Sequence, residues 1–426
     1  MLLGVLLGAT VVMCPCAAAQ SLSPSPDSTA AADTSAADPQ PYTTSRGIVH
    51  HMLAIPAYVL RGATRPLAWG IRYVEQRFPN LFTPQGASRG VIPLVEVGGA
   101  TGFLSGLALY HNGLFGAGHS ARIEGTYQGP STFAGEVSYT IPAPAGAGSP
   151  VKNLSMEVNV FSDAGDEFFL GGNASRSADE ALFSRDQVDV TVGMDASIPA
   201  SPLRGGVDLL YEHVEADDAD RALRSAALPG FDTVDLLTSR LTLGADVAGD
   251  PPRVSRGTEV ILQLDYTHDL TGDRFRYGRY VAEIHQYVPV GLFPDSRRLA
   301  LRARLEQVEP LLGGTAVPFY QRPGLGGLSA LRGFEGRRFQ DDGSLMLGGE
   351  YRYPIWSNLD ATLFVDTGQV FDTLADVGAN RFQWSYGGGV HVLNRDGLHF
   401  RVEVAGSRDG LRAILTVEPS YRRVAR

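Results

Sequence analysis

The stretch Val188-Asp189-Val190-Thr191-Val192-Gly193-Met194-Asp195-Ala196 decides the fold. Every even position is apolar and every odd position is polar or glycine. A period of two puts the first set on one face of a β-strand and the second set on the other. Outward from this run the alternation recurs. Leu154, Met156, Val158 and Val160 oppose Ser155, Glu157 and Asn159. Between Thr258 and Thr267, Val260, Leu262, Leu264 and Tyr266 oppose Glu259, Gln263 and Asp265, with Ile261 the exception. Leu299, Leu301, Ala303 and Leu305 oppose Arg302, Arg304 and Glu306, and Leu398, Phe400, Val402 and Val404 oppose His399, Arg401 and Glu403.

The two faces differ in kind. A soluble sandwich also alternates, but its strands average about five or six residues and its apolar faces interdigitate. These runs are about nine to eleven residues long, the length a tilted strand needs to cross a bilayer. Their apolar faces are Leu, Val and Ala, whereas their polar faces carry charges of both signs at mid-strand. Lipid outside and a hydrated lumen inside account for both. Tyrosines fall near strand ends, at Tyr127, Tyr139, Tyr211, Tyr266, Tyr287, Tyr351, Tyr353 and Tyr421, as an aromatic girdle requires. Turn signals such as Asp163-Ala164-Gly165-Asp166 and Arg395-Asp396-Gly397 separate the runs. Roughly sixteen such segments fill residues 90–426, a transmembrane antiparallel β-barrel. At its start, Val91–Val97 and Phe103–Tyr110 read either as two strands or as one strand and its lead-in.

Composition agrees. The chain has 426 residues, with 36 Lys and Arg against 46 Asp and Glu, a formal charge of −10. Such a balance lacks the basic stripe that nucleic-acid binding demands. A mean hydropathy of −0.04 is far below that of a helical membrane bundle. The one long uncharged apolar stretch is residues 1–19, which end in Ala17-Ala18-Ala19 and read as a signal peptide. Both cysteines, Cys14 and Cys16, lie within it. Residues 20–46 are Ser, Ala, Pro, Asp and Thr with little to bury, and read as a disordered linker. Residues 47–85 read as an amphipathic helical segment, with Ile48, Met52, Ile55 and Val59 on one stripe and Leu67, Ile71, Val74 and Phe78 on the next. Arg61, Arg65, Trp69 and Arg72 give that segment the cations and ring of an interfacial helix; packing on a protein surface is the alternative. The doublet His50-His51 reads as a solvated helix start.

One segment breaks the alternation. Residues 310–343 read PLLGGTAVPFYQRPGLGGLSALRGFEGRRFQDDG. A connection this long is functional or disordered, and its Leu, Phe and Tyr content argues that it packs inside the lumen. There Arg322, Arg332, Arg337 and Arg338 would meet inward acids.

Within this segment, Leu325-Gly326-Gly327-Leu328-Ser329-Ala330-Leu331-Arg332-Gly333-Phe334 resembles the lumen-inserted loop of the BamA/TamA superfamily (the bacterial surface antigen family), whose mark is a Val/Ile/Leu-Arg-Gly-Phe/Tyr tetrad at the loop tip. The next run, Leu347-Gly348-Gly349-Glu350-Tyr351-Arg352-Tyr353-Pro354-Ile355, resembles the family's following strand. Leu363-Phe364-Val365-Asp366-Thr367-Gly368-Gln369-Val370-Phe371 is similar to its Phe-x-Asp-x-Gly-x-Val strand. Five strand-like segments follow the loop, as in the family barrel. The resemblance covers the C-terminal third by motif and residues 90–310 by barrel pattern. It implies a bacterial outer-membrane location and a role in inserting or translocating protein or lipid. It also implies that Leu331, Arg332, Gly333 and Phe334 form the loop tip, with Glu350 and Asp366 as lumen partners of Arg332. Parity independently puts Glu350 on the polar face; Asp366 is less clean, because Phe364 shares its face. The family's periplasmic POTRA modules have no counterpart in residues 20–89, so the chain resembles a POTRA-less branch. Its C-terminal residues also lack the terminal aromatic common in such barrels.

Partners implied are outer-membrane lipids, nascent barrel proteins or a separate periplasmic protein; nucleic acid is not among them. No cofactor or metal is expected. An enzyme is a poor rival: Gly86-Ala87-Ser88-Arg89-Gly90 matches Gly-x-Ser-x-Gly, but lacks the strand before it and helix after it that a nucleophile elbow requires. Asp217-Asp218 and Asp341-Asp342 read as solvated loops, and His285 and His399 as lumen wall. A passive porin or structural barrel shares the alternation without explaining the loop motif.

Overall fold

The computed structural model describes residues 88–419, less short stretches at 99–102, 130, 144–148, 218, 248–255, 273, 291–296, 312–315, 357–358 and 394–397. The signal peptide, the linker and the helical segment with Arg61, Arg65, Trp69 and Arg72 lie outside the described residues, as does Tyr421.

Sixteen antiparallel strands close into a barrel. They are β1 (Arg89–Val97), β2 (Phe103–Asn112), β3 (Ser120–Tyr127), β4 (Thr132–Pro142), β5 (Val151–Phe169), β6 (Glu180–Ser197), β7 (Leu203–Asp217), β8 (Asp232–Asp246), β9 (Gly257–Asp269), β10 (Arg276–Pro289) and β11 (Arg298–Pro310), followed by β14 (Gly343–Trp356), β15 (Leu359–Phe371), β16 (Gln383–Leu393), β17 (Leu398–Ser407) and β18 (Gly410–Pro419). Two short strands, β12 (Gly324–Leu325) and β13 (Phe339–Gln340), form a separate two-stranded sheet in the long connection. The ambiguous start resolves into two strands, paired from Arg89↔His111 to Val97↔Phe103.

Burial along the strands is inverted relative to a soluble protein. Leu107, Val192, Val207, Leu264 and Val404 are exposed on the outside, while Glu212, Asp265, Glu283, Glu350 and Glu403 are buried on the inside. On β15, Leu363 is 58% exposed and Asp366 is 2% exposed. Apolar side chains can face outward at this density only where the surroundings are themselves apolar, so the outer band is a lipid surface. Closure leaves no unpaired edge inside it. Ile261, the exception in its run, is buried among the lumen-side residues.

The aromatic girdle is partly as read. Alternation turns Tyr127, Tyr211 and Tyr266 outward toward one end of the barrel, and Tyr139, Tyr351 and Tyr353 outward toward the other. Tyr287 differs. Its cross-strand partners Gly257 and Ala300 share its parity, and its neighbour Val288 is exposed outside, so Tyr287 faces the lumen.

The joins are uneven. Among the described residues, Val95↔Val417, Glu96↔Thr416 and Val97↔Leu415 are the pairs that join β1 to β18. β17 and β18 pair through ten, from Leu398↔Pro419 to Ser407↔Gly410.

A charge on the outer band should be costly. Leu363→Arg is expected to destabilise the barrel by roughly 2–4 kcal/mol, the penalty for arginine near a bilayer midplane. Denaturant titration of folding into lipid vesicles measures it. A loss under about 1 kcal/mol would put that face in water.

Candidate functional site

The connection from β11 to β14 enters the lumen from the end that also carries the β5–β6, β15–β16 and β17–β18 connections. It is held in three layers. Nearest the mouth, Phe319 and Tyr320 pack with Phe168, Phe183, Val214 and Leu223 in an apolar cluster. Phe319 meets Phe168 and Phe183 edge-on at 5.2 and 4.8 Å between ring centroids. These rings seal the wall of β5, β6 and β7 against the loop.

The second layer is the β12–β13 pair. Leu325, Leu331, Phe334 and Phe339 pack on Met346 of β14 and Val370 of β15, and Phe334 and Phe339 stand edge-on at 5.0 Å. Arg338 is fully buried beside them. Its Nε donates to Asp409 at 2.8 Å and its Nη1 to the Ser175 hydroxyl at 2.6 Å. Two neighbouring connections are thereby tied to the loop.

The third layer is the tip. Arg332 is buried in a cage of carboxylates. Its Nε and Nη2 donate to the two oxygens of Asp366, both at 2.9 Å. Its Nη1 donates to Glu350 at 2.8 Å and to Glu403 at 3.3 Å. The carboxylates stand on β15, β14 and β17, so one guanidinium spans three strands. The fork of arginine permits this, and a lysine ammonium would not. The guanidinium also lies 3.4 Å from the centroid of the Phe364 ring. The residue that blurred the parity of β15 is therefore the platform for the cation.

Gly333 permits the approach. A Cβ there would sit 2.7 Å from the carbonyl oxygen of Gly406 and 2.8 Å from Cβ of Ser385. The Ser407 hydroxyl donates to the Gly333 carbonyl at 2.7 Å. On the strand neighbouring β14, Arg302 of β11 donates to the Ser329 carbonyl. The tip thus touches the barrel from β11 round to β17.

The structure brings Leu331, Arg332, Gly333, Phe334, Glu350 and Asp366 together. Sequence reasoning did not single out Glu403 or His391. Glu403 accepts from Arg332, and it lies 2.9 Å from Nε2 of His391. The alternation of β17 had put Glu403 on the polar face, which was the available signal. Among the described residues no group of His, Cys, Asp and Glu could hold a metal ion.

A family model, the Omp85 superfamily domain, matches residues 113–394. The chain belongs to the Omp85 superfamily. It is a BamA/TamA-type barrel. Among solved structures, it is similar to BamA from Haemophilus ducreyi lacking POTRA domains 1–3, with 17% identity and a TM-score of 0.56 over 78% of this chain and 70% of that one. CdiB from Acinetobacter baumannii matches at 12% identity and a TM-score of 0.53, over 77% of this chain and 59% of that one. CdiB from Escherichia coli matches at 12% and 0.52, over 77% and 62%. The chain thus spans under two thirds of either CdiB. At these identities the likeness is one of fold. No curated protein matches the sequence.

Two substitutions test the clasp. Arg332→Ala strands the buried Asp366 and removes one partner from Glu350 and Glu403, a loss of about 3–5 kcal/mol for a broken buried pair. Because the barrel wall keeps its own hydrogen bonds, the barrel should still insert while protease cleavage within 325–340 rises. Cleavage equal to wild type would count against the clasp. Gly333→Ala should displace the tip with the guanidinium still present, at a cost of roughly 1–3 kcal/mol, the range for overpacking. The same proteolysis pattern, seen in Gly333→Ala, would separate backbone fit from charge.

Proposed function

We propose that this chain works in the bacterial outer membrane as a barrel that assists the insertion or translocation of protein or lipid, without covalent chemistry, by parting the join between β1 and β18. The observation that carries this reading is the contrast between a firmly clasped loop and a thinly paired seam. Three described pairs hold the seam. A net contribution of about 0.5–1.5 kcal/mol per hydrogen bond makes so short a join the cheapest place to open the wall.

The loop reaches that seam. Arg412 of β18 donates through Nη1 to Glu335 of the loop and through Nη2 to the Gly98 carbonyl at the end of β1, each at 3.1 Å. One side chain therefore links the loop, the last strand and the first. In this reading Arg332, Glu350 and Asp366 set the loop, and the loop holds Arg412 where it bridges the seam. Lipids flank the opening, and the cargo is a nascent barrel protein or a lipid. Family membership and the fold shared with BamA and CdiB support the general class of role.

Reconstituted in vesicles, the chain should speed the folding of an urea-unfolded outer-membrane barrel protein added from outside. A disulfide across the seam, from Val97→Cys with Leu415→Cys, should abolish the effect, and a reductant should restore it. The equivalent lock between β7 and β8, from Val207→Cys with Leu241→Cys, should leave it intact. Undiminished acceleration by the oxidised seam lock would overturn the proposal.

A further inference from the structure

Below the apolar layer at the mouth lies a lumen cavity of about 330 Å³. That is at the lower end of the roughly 300–1,000 Å³ usual for small-molecule sites. Its lining is almost wholly polar, and five arginines line it against three carboxylates. Three of the five are matched: Arg240 with Asp265 at 3.0 Å, Arg279 with Glu306, and Arg304 with Glu306 at 2.9 Å and Glu283 at 3.0 Å.

Arg185 is also paired, with Asp166 at 2.8 Å, whereas Arg337 makes its hydrogen bonds to neutral groups. Arg337 donates to the carbonyls of Tyr320 and Arg322, each at 3.0 Å, and to the Gln340 amide oxygen at 2.7 Å. All three acceptors are neutral. Arg337 also has φ +52°, in the left-handed region. An arginine held there is a strained choice unless its side chain has work at that spot. Beyond its ion pair with Asp166, Arg185 keeps a spare donor: its Nε is buried with no hydrogen-bond partner. Burial first, and then the neighbouring Arg185, pull the Arg337 guanidinium down to about 10 against the opposing pull of Asp166 and Glu306.

We infer that this cavity is an oxyanion site, in which a phosphate-class ligand bridges Arg337 of the loop and Arg185 of β6. Two guanidinium forks, one on the loop and one on the wall, match the paired oxygens of a phosphoryl group. A bound anion would supply the charge that the neutral carbonyls around Arg337 do not, and would fasten the loop to β6 across the lumen from the Arg332 clasp. The ligand is free phosphate or the phosphate of a lipid headgroup, since both present the same oxygens. This inference does not depend on the seam or on the cargo.

The test is calorimetric titration of the full chain in detergent at constant ionic strength, with inorganic phosphate as one probe and glycerol phosphate, the fragment common to anionic headgroups, as the other. Saturable binding beyond a chloride control is expected. Arg337→Gln and Arg185→Gln should each weaken it by about tenfold, the loss of one charged hydrogen-bond pair, and Arg337→Lys should recover part of the loss. Tighter glycerol phosphate assigns the site to a headgroup, and tighter inorganic phosphate to the free ion. Heat-modifiable gel mobility shows that each variant remains a closed barrel. Titration indistinguishable from chloride, or wild-type affinity in both glutamine variants, overturns the site.

Discussion

One guanidinium ties the loop tip to the wall of this lumen. Asp366, Glu350 and Glu403 stand on three strands with their carboxylates converging, and each is buried. Without a cation between them their mutual repulsion would act across a medium much less polar than water. Arg332 meets all three at once. A loop that withdrew would leave Asp366 without its cation and take one partner from Glu350 and Glu403, so loop and wall are ordered together. Arg352 and His391 extend the network, the first onto Glu350 and the second onto Glu403.

Steric provision for that cation is as specific as its charge. Gly387 on β16 gives the Phe364 ring its place: a Cβ there would meet that ring at 2.5 Å. Phe364 in turn carries the face of the guanidinium. Gly333 thins the loop tip where it meets the Gly406 carbonyl and the side chains of Ser385 and Ser407. Charge, ring and missing side chains converge on one point, so replacing any of them disturbs the fit of the others.

Period-two alternation made the barrel legible, because a transmembrane strand has one lipid face and one lumen face for its whole length. It placed Glu350 directly. It was blurred at Asp366 by Phe364, since an aromatic inside a polar lumen looks like a parity error until the cation above it is seen. Glu403 was on the page as one polar residue among several, with nothing local to raise it above Arg401. Arg338 and Arg412 were out of reach for a different reason. Their partners, Ser175, Asp409, Gly98 and Glu335, lie in connections and strand ends far away in sequence, where no periodicity links donor to acceptor. Tyr287 shows the complementary error: nearness to a strand end does not say which face a ring takes, whereas the exposed neighbour Val288 does.

The loop is secured by two locks of different physics. Near the mouth, Phe168, Phe183, Phe319 and Tyr320 form an apolar seal that salt does not weaken. At the tip, the clasp is ionic and shielded from salt by burial. Opening the lumen as a channel would mean breaking both, at about 3–5 kcal/mol for the ionic pair before the apolar area is counted. In the proposed reading, parting three described pairs at β1 and β18 breaks fewer contacts, and the strand edges it bares are met by the incoming segment. Under that proposal the molecule is stiff along its axis and yields in the membrane plane. That anisotropy is the property a lateral exit needs and a pore does not.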